Sequence, residues 1–330
     1  MNKYIRKLIV LSAISCISFS GMQISEARVN PYSNVEVMHL SDEAKADYID
    51  KKMDTYFNFA KVALNDEYVV PEGWSQEKLS FNGVAVEKYT ANNSRSDRIL
   101  LFMHGGGYVG GLNNRYRDWA IHHAELAGNA TLLVVDYRIA PKHLYPSALE
   151  DAVNAYKGIL SAGYNPSNMV LMGDSAGGNL SLSLAVYLKD HDIAQPKATV
   201  LISPWTYLGN ELPSHKNNLA KDKILGTANK ALVSEIKDPT YGKGKDKSDP
   251  YLSPAYADLE GVSPILIIAG GDELLLDDTA LISAHAKASN VKVIEKIYPK
   301  MSHDWSILLP ELPESKDMDK AIADFIDENL

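Results

Sequence analysis

Five short apolar runs limit what this chain can become: "ILLFM" at 99–103, "TLLVV" at 131–135, "MVLM" at 169–172, "TVLI" at 199–202 and "PILII" at 264–268. None alternates with polar residues. A strand apolar on both sides has to be covered on both faces, which is the condition of a parallel sheet rather than of a half-exposed hairpin. Helix-like stretches lie between most of the runs, among them Asp118 to Leu126 and Ser147 to Leu160. Strand alternating with helix implies an α/β fold, a mostly parallel sheet flanked by helices. With 330 residues, 45% hydrophobic and 23% charged, the chain is long enough for one large domain of this kind or two smaller ones.

The segments around that core read differently. Ser41 followed by Asp42 and Glu43 starts a helix with a cap and an acidic first turn, and Ile49, Met53, Tyr56 and Ala60 keep one face apolar to about Asn65. Pro71 and Gly73 close it. From Lys78 to Tyr89 the pattern changes to period two, and Asn82-Gly83 in its middle marks a tight hairpin. Between "TVLISPW" and "PILIIAG" the rhythm breaks: residues 206–263 are rich in Lys, Asp, Asn, Gly and Pro. Leu219, Ile224, Leu225, Leu232, Val233 and Ile236 supply too many apolar side chains for a solvated linker, so an inserted helical subdomain is expected there.

Residues 1–27 have the composition of a secretory signal: basic Lys3, Arg6 and Lys7, an apolar and serine-rich stretch from Leu8 to Phe19, then Ser25-Glu26-Ala27 as a cleavage site. The apolar run is short for a bilayer span. An uncleaved anchor and a lipid on Cys16 are the alternatives. Cleavage removes three basic residues against one acid, Glu26, from a chain whose formal net charge is already −9. That balance argues against a general affinity for nucleic acid. Cys16 is the only cysteine, so export would proceed without disulfides, and thiol catalysis and cysteine-ligated metal centres are excluded from the mature chain. The expected organisation is a signal at 1–27, an N-terminal helical cap segment at 28–75, and a core at 76–330 with a cap insert at about 206–263.

Chemistry concentrates at strand ends. Gly173-Asp174-Ser175-Ala176-Gly177 falls between the run "MVLM" and the helical "NLSLSLAVYL", the context in which a G-x-S-x-G serine sits on a sharp turn with its hydroxyl exposed. A serine hydroxyl needs a base, and the base an orienting carboxylate. Four histidines follow Ser175: His191, His215, His285 and His303. His191 lies at the far end of the helix that begins at Ser175, roughly 20 Å away at 1.5 Å per residue; His215 falls in the insert and His285 within a helix. His303 follows the last strand, "VKVIEKIYP", in a loop able to reach the serine. The acid belongs in the loop after "PILIIAG", where Asp272 comes first and Glu273, Asp277 and Asp278 compete with it. Asp277 and Asp278 read as first-turn residues of the next helix, offsetting its dipole. The first run ends in His104-Gly105-Gly106-Gly107, and backbone N–H groups of Gly105 and Gly106, with that of Ala176, are expected to bind an oxyanion.

Taken together, "HGGG" at 104–107, "DYRIAP" at 136–141, "YPSALED" at 145–151, "GDSAGG" at 173–178, "SPW" at 203–205, "DPYLSP" at 249–254 and "GDELLLDD" at 271–278 resemble the hormone-sensitive-lipase-like family of carboxylesterases from about Phe81 to His303. The resemblance implies an α/β-hydrolase core of eight strands and a cap built from the N-terminal helices plus the insert. It also implies a triad of Ser175, Asp272 and His303 and an oxyanion hole from Gly105, Gly106 and Ala176. Two positions depart from the family pattern. Asp304 stands where a glycine usually follows the histidine, and Tyr207 where an aspartate often follows "SPW". Trp205 and Tyr207 are candidate walls of the substrate pocket, or else core packing beneath the cap. The reading is a secreted serine esterase for carboxylic esters, with short acyl groups expected, no metal or cofactor, a small-molecule ester as partner and no nucleic acid. A deacetylase or amidase using the same groups is the alternative within the enzymes, and a small-molecule binding protein without catalysis the alternative outside them.

Overall fold

The computed structural model describes residues 28–59 and 67–330. The secretory signal expected at 1–27 lies outside the described residues. Eight strands form one sheet: β1 (Trp74–Phe81), β2 (Val84–Ala91), β3 (Arg95–Met103), β4 (Ala130–Asp136), β5 (Met169–Asp174), β6 (Ala198–Ile202), β7 (Ile265–Gly270) and β8 (Val293–Tyr298). Their spatial order is β1-β2-β4-β3-β5-β6-β7-β8. The β1–β2 and β2–β4 pairs are antiparallel, and every pairing from β4 to β8 is parallel. The expected hairpin closes with Phe81 opposite Val84, and Asn82 and Gly83 both take positive φ, as the mirror-image turn requires.

The helices are α1 (Asp42–Phe59), α2 (Asn114–Leu126), α3 (Ser147–Ser161), α4 (Ser175–Asp190), α5 (Ser214–Asn217), α6 (Lys230–Lys237), α7 (Leu276–Ala288), α8 (Trp305–Leu308) and α9 (Pro313–Asn329). Successive strand residues feed opposite cores, because strand side chains alternate between faces. Ile99, Leu101 and Met103 of β3 join Leu180 and Leu184 of α4, while Leu100 and Phe102 join Trp119 of α2 and Phe325 of α9. Each apolar run therefore fills two layers at once, which explains why none of them alternates. Helix α2 starts four residues before the apolar periodicity shows, since Asn113 caps it by accepting from the N–H groups of Arg115 and Tyr116. At α1, Ser41 accepts from the N–H of Ala44, and Ile49 and Met53 are buried.

The insert contains only the two short helices α5 and α6 and a 3₁₀ turn at Pro254–Tyr256. It is less helical than expected and held largely by side chains. Asp222 accepts from the N–H groups of Ile224, Leu225 and Leu274, and Asp278 at the start of α7 takes both His215 Nε2 at 2.7 Å and the N–H of Tyr207 at 2.8 Å. An ion pair of 2.8 Å between Lys223 and Asp50 joins the insert to α1. Among the described residues no helix is long and apolar enough to cross a membrane.

Candidate active site

Five loops meet beyond the carboxyl ends of β3, β5, β6, β7 and β8, where open α/β sheets bind their ligands. Ser175 is the first residue of α4, held at φ 50° directly after β5. That left-handed backbone is costly for a residue with a side chain and persists where surrounding structure enforces it. Here the enforcement is close packing. A Cβ on Gly177 would lie 2.1 Å from the carbonyl oxygen of Met103, so only glycine lets α4 leave the sheet at this angle. Trp205, after β6, donates its N–H to the carbonyl of Ser175 at 3.0 Å and fixes the turn from the other side.

A cavity of about 360 Å³ opens over this turn. Ser175, His303, Asp304, Gly106, Gly107 and Trp205 line its floor, and Ile224, Leu225, Leu232 and Ile236 of the insert face them. Among the described residues, none of 28–75 lines the cavity, and the aliphatic side chains facing its floor belong to the insert. Tyr207 is not on the wall either; its hydroxyl bonds Glu211 and its ring faces His215 and Tyr256. Of the two expected pocket residues, only Trp205 is placed there.

The glycine loop after β3 is fixed by His104, whose ring stacks on Tyr137 at 4.3 Å and bonds the carbonyl of Gly105 through Nδ1 at 2.7 Å. Burial pushes this imidazole down to about 4, which keeps it a neutral structural group. Gly105 donates its N–H to Asp174 Oδ1 at 2.9 Å. The donor expected to face an oxyanion is thus committed elsewhere. Gly106, at φ 105°, and Gly107 turn toward the cavity, and neither N–H finds an acceptor among the described residues. Ala176, fully buried, has an N–H in the first turn of α4, where helix donors have no intrahelical partner.

His303 and the acids around it differ most from expectation. Asp272 is partly exposed, donates its N–H to the carbonyl of Met301 and acts electrostatically on exposed Lys300. No hydrogen bond or ion pair joins it to His303 among the described residues. Glu273, one residue on, is completely buried: its Oε2 accepts from Ser203 Oγ at 2.6 Å and from the N–H of Gly270 at 2.9 Å, and its Oε1 has no partner among the described residues. Burial pushes the Glu273 carboxyl up to about 8, against the pull of His303. His303 Nδ1 is likewise buried without a partner, and Nε2 lies 2.9 Å from Asp304 Oδ2. Burial alone would lower the imidazole; Asp304, Glu273 and Asp222 outweigh it and push it up to about 10. Asp222, whose Oδ1 also accepts the His303 N–H at 3.5 Å, comes from the insert with no local motif to announce it. Glu273 could have been found by its neighbours, since Leu274 and Leu275 after it are buried and Gly271-Asp272 forms the outward turn. Asp277 and Asp278 do lie in the first turn of α7, but Asp278 is wholly buried and holds the insert rather than only offsetting a dipole.

Residues 100–307 match the model of a family described by its alpha/beta hydrolase fold. The chain belongs to that family. Within it, the chain is similar to an acetyl-hydrolase of Streptomyces hygroscopicus, with 36% identity over 66% of this chain and 72% of that one. It is also similar to an esterase of Acinetobacter venetianus, with 32% identity over 74% and 78% of the two chains. Among solved structures, an esterase of the bacterial hormone-sensitive lipase family superposes with a TM-score of 0.77 at 32% identity, covering 88% of this chain and 99% of that one. The α/β-hydrolase is thus one of the hormone-sensitive-lipase type, and a carboxylic ester hydrolase.

Proposed function

We propose that this α/β-hydrolase is a secreted serine esterase that cleaves short-acyl carboxylic esters through an acyl-enzyme. The observation that carries the reading is the cavity floor, where Ser175, held at positive φ between β5 and α4, shares one wall with His303 and with the open N–H groups of Gly106 and Gly107. Ser175 Oγ attacks the ester carbonyl and His303 Nε2 takes its proton, then passes it to the departing alkoxide; water repeats the steps in reverse and frees the acid. The oxyanion rests on Gly106, Gly107 and Ala176, where each such donor is worth roughly 10² to 10³ in rate. Gly105 keeps the loop in place through Asp174. Glu273 takes the orienting role expected of Asp272, because it combines burial, an open Oε1 and an electrostatic pull on His303.

A 360 Å³ cavity closed by branched aliphatic side chains suits a small acyl group, and the relative named an acetyl-hydrolase fits the same size. Acetyl groups on a polysaccharide or cell-wall polymer are a second substrate class for this machinery, favoured by that same name. Export rests on the composition of residues 1–27, and amino-terminal sequencing of protein recovered from the medium should begin at Arg28. Ser175→Ala is expected to abolish turnover of a chromogenic acetate ester and labelling by a fluorophosphonate, with the circular dichroism spectrum and melting temperature retained. Labelling that survives the substitution defeats the assignment.

A further inference from the structure

His303 is surrounded by more carboxylates than a general base requires. Glu273 approaches from the loop after β7, Asp222 from the insert and Asp304 from its own loop, and Asp174 at the end of β5 feels the charges of both Asp304 and His303. Glu273 and Asp222 have evident work, the first bonded to Ser203 and Gly270 and the second to three N–H groups of the insert and the α7 turn. Asp174 holds Gly105. Asp304 has no such duty. Its Oδ1 is buried without a partner among the described residues, and its Oδ2 contacts only the imidazole, at Nε2.

The backbone makes the choice of residue more telling. Asp304 sits at φ 46° and ψ 34°, a left-handed conformation that glycine adopts without cost and that a residue with a Cβ enters at a penalty. Its N–H bonds Ser203 Oγ at 3.2 Å, so the loop is held in this shape by a contact that any residue could make. A side chain has nevertheless been placed at the strained position, and it reaches the one ring nitrogen on which the proposed chemistry depends. Nε2 cannot accept the proton of Ser175 while it donates its own to Asp304.

We propose that Asp304 is a positioning residue that holds His303 through Nε2 in the free enzyme, so that the imidazole must lose this proton and leave Asp304 before it can serve Ser175. The inference rests on the reading of His303 as general base. In the free enzyme Nε2–H donates to Asp304 Oδ2; above the titration of the pair the proton passes to solvent, Nε2 presents a lone pair to Ser175, and Nδ1–H turns to the open Oε1 of Glu273. Activity in this scheme develops on the alkaline side of neutrality. The sign follows directly: a partner that stabilises the protonated imidazole raises the pH at which the base becomes available, and removing the partner's charge lowers it.

The test is the pH profile of kcat/KM on a soluble acetate ester, since that ratio reports the free enzyme. Asp304→Asn and Asp304→Gly should both shift the acid limb downward by at least about one pH unit, about tenfold in activity on the limb. The glycine variant guards against misfolding, because the left-handed backbone suits it. A limb that stays in place in both folded variants overturns the proposal, as does a parallel loss of rate at every pH, which is what a purely structural role would give. The titration of ¹⁵N-labelled His303, identified by the signal lost in His303→Gln, supplies a readout independent of turnover. If that titration moves with Asp304→Asn in a protein that hydrolyses no ester, the hydrolase reading fails while the pairing stands; if ester turnover is normal and neither profile moves, the pairing alone fails.

Discussion

At the scale of single residues, the division of labour at the acid is the sharpest point to test. Glu273→Gln removes the charge that this carboxyl carries above its raised titration, about 8, but preserves the shape and the acceptor for Ser203, so kcat on the alkaline side of that titration should fall by about 10³ to 10⁴ without loss of folding, the size of effect seen when an orienting carboxylate becomes an amide. Asp272→Asn should leave kcat within a few-fold of the parent, since its side chain faces Lys300 and solvent. Steady-state kinetics on the two variants decide the matter; the opposite ranking returns the role to Asp272. That Ser175 and His303 line one cavity was legible because each is announced locally, the serine by small residues between an apolar run and a helix, the histidine by its place after the last strand. The acid was harder to read. Adjacent residues on a turn point in different directions, and which of Asp272 and Glu273 turns inward depends on the Met301 carbonyl that captures the Asp272 N–H. The oxyanion donors follow the same logic, for Gly105 is committed by Asp174, a residue 69 positions away.

Among the elements, the strands were legible to within a few residues, because five of them fill cores on both faces and leave no other pattern available. The insert was not. Its apolar residues signalled burial, but its order depends on Asp222 and Asp278, polar side chains whose partners come from distant loops and which a periodicity argument passes over. The pair of Asp278 with His215 is the clearest case, both side chains being almost completely buried. Asp278→Ala leaves His215 Nε2 and the Tyr207 N–H without an acceptor; unsatisfied buried groups cost about 1–3 kcal/mol each, so a clear fall in urea midpoint is expected. The substitution should also raise KM more than it lowers kcat, because α5 and the Leu232 and Ile236 wall lose an anchor while Ser175, His303 and Glu273 stay on the sheet. Equal losses in both constants, with an unchanged midpoint, would contradict this account of the insert.

For the whole molecule, the proposed function assigns the chemistry to the sheet and the substrate's space to the insert. Cavity volume then sets the acyl range: activity on p-nitrophenyl esters from acetate to palmitate is expected to peak at about two to six carbons and to fall steeply beyond. A maximum at long chains would show that the insert opens rather than encloses. The same arrangement bears on how far the insert can be exchanged for another. Asp222 lies in that segment, yet its carboxylate completes the turn before α7 through the N–H of Leu274 and approaches the N–H of His303. A replacement lid would have to bring a carboxylate to this point, or leave two loops of the reaction centre short of an acceptor. Substrate range and catalytic geometry are therefore inherited together, and transplanting one without the other should yield a folded protein with an idle centre.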